Sequence, residues 1–413
     1  MADFRPFRGY RPKPELVEKI ASPPYDVLSS EEARTMAHEN PYSFLHVVKP
    51  EIDLPEDADH YGEPVYLKGK ENLQWLINNE YLIRDLDRSY YVYQQRMGDH
   101  VQVGVMGAAS VDEYISGKIK KHELTRADKE ADRTKHIDTI GANTGPVFLT
   151  YKADNGIDAV IDNVRKRTPT YDFTASDGVG HTLWAVHDSE TVEAIRNGFA
   201  GISELYIADG HHRSASAANV GVLRRERKKE YTGQEPFNYF MAVLFPDNQL
   251  QILDYNRVVV DLNKHTPDEF LALISTRFNI MPTQEPKPPA PRQFGMYLGG
   301  KWFRLTAKEG TFDPNDPVGS LDVAILSGNI LANILDIQDL RTDKRIDFVG
   351  GIRGTGELER LVDSGKYVVA FAMHPTTVEQ LMAIADAGMI MPPKSTWFEP
   401  KLRSGVVVRT LDE

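Results

Sequence analysis

The densest chemistry in the chain lies in five consecutive residues, Asp209-Gly210-His211-His212-Arg213. They follow an apolar run, Leu205-Tyr206-Ile207-Ala208, that reads as a buried strand, and precede small residues, Ser214 to Ala218, that favour a helix. A helix start carries unpaired N–H groups and partial positive charge, so a strand–turn–helix junction of this kind suits an anion. Gly210 lets the backbone turn tightly and approach a ligand closely. His211, His212 and Arg213 add side-chain donors, arginine being the best two-pronged partner for a phosphate. Asp209, at the strand's end, is the candidate for holding Mg²⁺ or accepting a proton. Asp209, His211 and His212 are therefore candidate catalytic residues, and Gly210, His211, His212 and Arg213 candidate phosphate or nucleotide ligands. The plainer alternative makes Asp209 a helix cap and the histidines exposed turn residues. Adjacent histidines are poorly spaced for one structural zinc, and the chain has no cysteine to complete such a site.

A second cluster is Lys121-His122-Glu123-Leu124-Thr125-Arg126-Ala127-Asp128. Thr125 and Asp128 have capping-box spacing in its Asp variant, which predicts a helix from Arg126. His122 and Glu123 then stand just before a helix start, and Arg126 and Arg133 share a face of the helix. His122 and Arg126 join the candidate phosphate ligands and Glu123 the candidate catalytic residues. A zinc-protease helix is excluded, because that motif needs a second histidine where Arg126 stands. A third cluster, Pro393-Lys394-Ser395-Thr396, offers an ammonium and two hydroxyls to a phosphate or carboxylate, but lacks the glycines of a Walker A loop. Gly350-Gly351-Ile352-Arg353-Gly354-Thr355-Gly356 does not fit the dinucleotide-binding spacing and reads as a turn.

The elements that must position these residues alternate along the chain. Ser29 or Ser30 caps a helix ahead of Glu31-Glu32, and an amphipathic helix is expected over 61–79. Strand alternation appears at 89–96 and 101–106 around a turn at Met97–His100, then at 147–151, 239–245 and 251–260. Hairpin strands at 295–298 and 302–305 turn at Gly299-Gly300, and a helix covers about 378–387 before an extended tail. Alternating strands and helices with antiparallel hairpins predict a mixed α/β or α+β fold. Proline-rich residues 284–292 suggest a stiff linker. The expected division is a main α/β domain over 1–283, carrying the first two clusters, and a C-terminal α/β region over 293–413. The Lys394–Thr396 tail of that region is expected to return to the main site.

With 413 residues, 41% hydrophobic and 26% charged, the chain has an ordinary globular balance. No apolar run approaches the ~18 residues of a membrane helix, and the N-terminus does not read as a secretory signal. Absence of cysteine fits a reducing cytoplasm. A net charge of −12 disfavours a nucleic-acid partner, since phosphate contacts dominate that affinity. The richest basic run, Arg224 to Lys229, reads as a solvated face.

Several runs fall together in a familiar order. Ser22-Pro23-Pro24-Tyr25-Asp26-Val27, Asn40-Pro41, Lys121 to Thr125, Asp209 to Arg213 and Pro393 to Thr396 resemble the domain-of-unknown-function 1015 family over essentially the whole chain. More distantly, a strand followed by Asp-Gly-His-His-Arg is similar to the phosphate-binding motif of the ParB/sulfiredoxin-like superfamily, which includes free L-serine kinases. That resemblance implies a ParB/sulfiredoxin-like core, a nucleotide site using ATP or ADP with Mg²⁺, and Asp209 as metal-linked or catalytic carboxylate. Gly210 to Arg213 would bind phosphate. Serine kinases use a glutamate to activate the hydroxyl, and Glu123 and Glu31 are equal candidates here. The expectation is phosphoryl transfer to a small hydroxyl metabolite, serine first. A phosphoserine-phosphatase-like hydrolase and a ParB-like nucleotide- or DNA-binding module are the alternatives.

Overall fold

The computed structural model describes residues 2–228 and 230–412. The chain folds into two compact units, the first comprising 1–121, 125–250 and 400–413, the second 122–124 and 251–399.

The first unit is built on one mixed sheet. Its strands are β1 (Phe4–Arg5), β2 (Tyr90–Met97), β3 (His100–Ser110), β4 (Ile119–Lys120), β5 (Val147–Tyr151), β6 (Tyr171–Thr174), β7 (Gly180–Val186), β8 (Leu205–Asp209) and β9 (Tyr239–Pro246). Their order is β4-β8-β5-β9-β3-β2-β7-β6, with β1 added on β3. The β4–β8 and β5–β9 pairs are parallel and the rest antiparallel. All eight residues of β9 are buried, as expected of an apolar strand covered on both faces. The β2–β3 hairpin turns at Gly98, whose φ of +59° needs glycine's freedom.

Its longer helices are α1 (Ser30–Ala37), α2 (Glu63–Asn78), α3 (Ala127–Ile140), α4 (Asn155–Arg165), α5 (Ser189–Ala200) and α6 (His211–Arg227). Ser29 caps α1 as expected, and with Glu32 it closes a full capping box. Packed against one another, α3 and α6 bring the starts of two helices into one neighbourhood. The last residues cross the unit as an extended strap. Ser404 exchanges backbone hydrogen bonds with Ser22, and Val408 with Tyr10. Arg409–Thr410 pair with Ala142–Asn143, and the Leu411 N–H reaches the Gly141 carbonyl.

The second unit holds an antiparallel six-stranded sheet of β10 (Tyr255–Val259), β11 (Phe278–Pro282), β12 (Gln293–Leu298), β13 (Lys301–Ala307), β14 (Ile346–Gly350) and β15 (Val369–Ala372), in the order β11-β13-β12-β15-β10-β14. The chain divides at 250/251 and 399/400, whereas sequence reading set the break at the proline-rich segment. That segment lies inside the second unit, between β11 and β12. The Arg304 Nη2 donates to the carbonyls of Glu285 and Lys287 at 2.5 and 3.0 Å. Gly295 admits the Pro286 carbonyl so closely that a Cβ would sit 2.0 Å from it. Pro288 is buried and Pro286 half-buried, while Pro289 and Pro291 are exposed, a partial packing that composition alone does not reveal.

Candidate functional site

Asp209 owes its position to a defect in its own strand. On β8, Ile207 pairs with Leu149 but Asp209 with Phe148, so Ala208 is an extra residue in the ladder. Side chains alternate along a strand, and one inserted residue reverses that alternation. Leu205 and Ile207 enter the hydrophobic core, and the bulge takes Asp209 out of their row. Gly210 follows in the left-handed region at φ +95°, serves as N-cap of α6, and donates its N–H to Asp209 Oδ1 at 2.8 Å. A Cβ on Gly210 would lie 3.1 Å from Arg213 Nε.

Arg213 lies behind this turn. Only 9% of its side chain is exposed; its Nη1 donates to the Pro146 carbonyl, and its Nη2 stands 3.4 Å from Asp26 Oδ2 and 3.8 Å from Asp209 Oδ2. Burial opposes its charge, but Asp26 and Asp209 overcome that and raise its pKa. Its Nε has no hydrogen-bond partner. Asp26 comes from the Pro23-Pro24 loop, and the neighbouring Tyr25 ring lies 4.4 Å beneath the Arg133 guanidinium. The proline-pinned loop thus reaches the same cluster as the Asp-Gly-His-His-Arg turn.

A residue that sequence reading missed completes the group. Lys401 Nζ lies 3.0 Å from Asp209 Oδ2. Burial would raise the Asp209 pKa, but the Lys401 and Arg213 charges override it and hold the carboxyl well below its usual range. Magnesium takes carboxylate oxygens into an octahedral shell it shares with waters. Here Oδ1 accepts the Gly210 N–H and Oδ2 the Lys401 ammonium, so a metal ion on Asp209 would share the carboxylate with these two donors.

The paired histidines differ. His211 is buried in the first turn of α6, while His212 is half-buried and its Nε2 accepts the Arg126 N–H at 3.1 Å. That bond fixes the His212 tautomer, with its proton on Nδ1 if neutral. It also corrects the capping expectation. Helix α3 begins at Ala127 with Arg126 as N-cap and no side-chain cap, and Thr125 instead donates to Glu130 Oε2 at 2.6 Å. Arg126 is exposed beside Asp128, whereas Arg133 is mostly buried beside Asp132, so the two do not form one cationic face. In the basic run, Arg224 and Arg227 pair with Asp138, Arg225 with Asp112 and Lys228 with Glu235, while Lys229 lies outside the described residues. Glu31 is exposed near the start of α1.

The other predicted residues belong to the second unit. The His122 carbonyl accepts the Met391 N–H, and half-buried Glu123 lines an open cavity of about 590 Å³ with Ser327, Gly328, Gln338 and Arg341. A π-helical turn, Ser327–Ala332, contributes to this wall. Exposed Lys394 is left-handed at φ +60°, and its carbonyl accepts from the fully buried Arg257 at 2.8 Å. The Ser395 hydroxyl donates to the Pro392 carbonyl, and half-buried Thr396 follows it. The residue from 400–413 that reaches Asp209 is Lys401, which was not among the expected ones.

Among the described residues, no helix is long and apolar enough to cross a membrane. The fold is similar to that of a free serine kinase in complex with AMP, at 13% identity over 71% of this chain and 86% of that one, with a TM-score of 0.36. It is also similar to a conserved hypothetical protein from Pyrococcus furiosus (15% identity, 74% and 95% covered, TM-score 0.37). SbnI with a C-terminal truncation, from Staphylococcus aureus, is similar at 14% identity, with 71% and 82% covered and a TM-score of 0.38. No curated protein matches the chain. A family model does match residues 4–324, and the chain belongs to the family described as protein of unknown function DUF1015.

Proposed function

We propose that this protein is a phosphotransferase that moves a phosphoryl group from ATP or ADP to a small hydroxyl metabolite, with L-serine the first acceptor to test. One observation carries the reading. A bulged strand ends in a carboxylate held ionised by two cations, beside a left-handed glycine that opens a 17-residue helix. That arrangement offers helix N–H groups and fixed positive charge to a phosphate. Phosphoryl transfer asks for positioning and charge neutralisation more than for covalent help. The likeness of the motif to the phosphate turn of free serine kinases makes serine the first choice.

In the reaction, the acceptor oxygen forms the new P–O bond while the bond from the terminal phosphorus to its bridging oxygen breaks. The electron pair leaves with the shortened nucleotide, and the hydroxyl proton passes to a base. Asp209 is ill suited as that base, because a carboxyl held so far below its usual range binds a proton weakly. Its role is electrostatic, keeping Arg213 and Lys401 in place. A glutamate is the proposed base, with Glu123 and Glu31 the two candidates. Magnesium arriving on the nucleotide is part of the substrate and needs no seat on Asp209.

The hydrolase alternative through His212 is weakened by the Arg126 N–H on its Nε2. The DNA-binding alternative is weakened by the acids that pair Arg224, Arg225, Arg227 and Lys228. Phosphorus NMR of the purified protein tests the proposal, with ATP or ADP plus L-serine and Mg²⁺ in one tube and phosphoserine alone in another. New phosphoserine in the first is the expected result. Free phosphate from the second alone means a hydrolase, and silence in both removes serine as acceptor.

A further inference from the structure

Two cations serve Asp209, and they are not equivalent. Arg213 is 9% exposed and committed on its far side to Pro146 and Asp26. Lys401 is 18% exposed and Asp209 29%, so this pair forms the wetter edge of the cluster. Of the two cations on Asp209, Lys401 is therefore the one more open to an arriving anion. Asp26, Asp209, Arg213 and Lys401 are also balanced, two charges of each sign, before any ligand enters. A phosphate placed there upsets that balance unless a cation turns toward it.

The chain that delivers Lys401 is unusually constrained. Its carbonyl accepts from Gln95 Nε2 at 2.9 Å. Residues 402–409 are then buried with almost no regular structure, although irregular segments normally run over the surface. Arg403, 5% exposed, is held by Asp177 and lies 3.4 Å from His181 Nε2. Arg409 donates to the carbonyls of Tyr239 and Pro236 at 2.8 and 2.7 Å. Such anchoring, with the Ser22 and Tyr10 pairings, fixes where the Lys401 side chain begins.

We infer that Lys401 is a ligand-contacting residue of the Asp209 site, its ammonium poised on the carboxylate and shared with the phosphate of a bound nucleotide. The inference rests on the phosphate-site reading above. A lysine suits the task because its compact charge sits on a flexible stem with rotatable donors, so it can move between two anions.

The test measures ADP binding by titration calorimetry for the full chain and for Lys401→Gln and Lys401→Arg. A charge-assisted hydrogen bond is worth about 1.5–3 kcal/mol, so Lys401→Gln is expected to weaken ADP roughly ten- to hundred-fold. Lys401→Arg is expected to stay within about five-fold, since it keeps the charge. The dependence of affinity on salt should flatten in Lys401→Gln alone, a change that a purely structural lysine does not produce. Equal affinity in wild type and a folded Lys401→Gln overturns the inference while leaving the phosphate site standing. Wild type that binds neither ADP nor inorganic phosphate at millimolar levels ends both. Should Lys401→Gln not fold, nitrogen-15 NMR of lysine-labelled wild type decides. The ammonium signal that Lys401→Arg lacks is expected to shift on adding ADP, and an unmoved signal refutes the contact.

Discussion

At the scale of single residues, the cluster depends on Gly210 twice over. The backbone there is left-handed, and the space where a Cβ would sit is bounded by the Arg213 guanidinium at 3.1–3.2 Å. Gly210→Ala is expected to lower stability by about 1–2 kcal/mol and to push Arg213 from its place between Asp26 and Asp209. Thermal melts should register the first effect and nucleotide titration the second; a variant with wild-type values in both would show the turn to be tolerant. The glycine, both histidines and Arg213 are legible in sequence because they are contiguous. Lys401 is not, because it stands 192 positions from Asp209 and no spacing rule links them. Lys394, seven residues earlier, carries the stronger local signal, because its proline-rich run has a phosphate-loop likeness. The burial of Arg213 is equally hidden, since it follows from Asp26 and Pro146 coming together from distant segments.

At the scale of elements, periodicity predicted most strands and helices, and failures came where long-range contacts decide. Helix α3 lost its capping box because Thr125 found Glu130, and the Arg126 N–H found His212 from another helix. The strap over 402–408 reads as a loop in sequence because its strand partners there are single bridges to Ser22 and Tyr10 in place of a ladder. The proline run over 284–291 looked like a spacer because only Gly295 and Arg304 reveal that it is packed. In the second unit, Asp322 opens the short helix Asp322–Leu326. Burial pushes its carboxyl up to about 6, against the Arg292 N–H that steadies the charged form, and its Oδ2 lacks a partner. An acid raised in the folded state costs nothing below its unfolded pKa of about 3.9, and the penalty grows as pH rises through the folded value. Asp322→Asn, which keeps the acceptor for Arg292, is therefore expected to gain about 1 kcal/mol at pH 7.5 and nothing at pH 3.5. Denaturant melts at the two pH values check this, and an equal gain at both would place the effect elsewhere.

At the scale of the whole molecule, the first unit is discontinuous in sequence, with residues 400–413 completing what 1–250 begins. Leu402, Val406, Val407, Val408 and Leu411 are all buried there. Each fully buried aliphatic side chain contributes about 1.5–3 kcal/mol, and a domain is stable by only about 5–15 kcal/mol. A chain cut after Glu399 is thus expected to leave the first unit unfolded or readily proteolysed. Limited proteolysis followed by mass spectrometry reads this out; a cut chain as resistant as wild type over 1–250 would mean the strap is dispensable for folding.

The strap also sets an order of events during synthesis. Its residues leave the ribosome after the whole of 1–399, so the first unit is not completed until they emerge. Until then the Asp209 cluster lacks both Lys401 and the buried segment that closes its unit. A nascent or prematurely stopped polypeptide is in this way silent toward nucleotide, and competence begins when the last segment is laid across Tyr10 and Ser22.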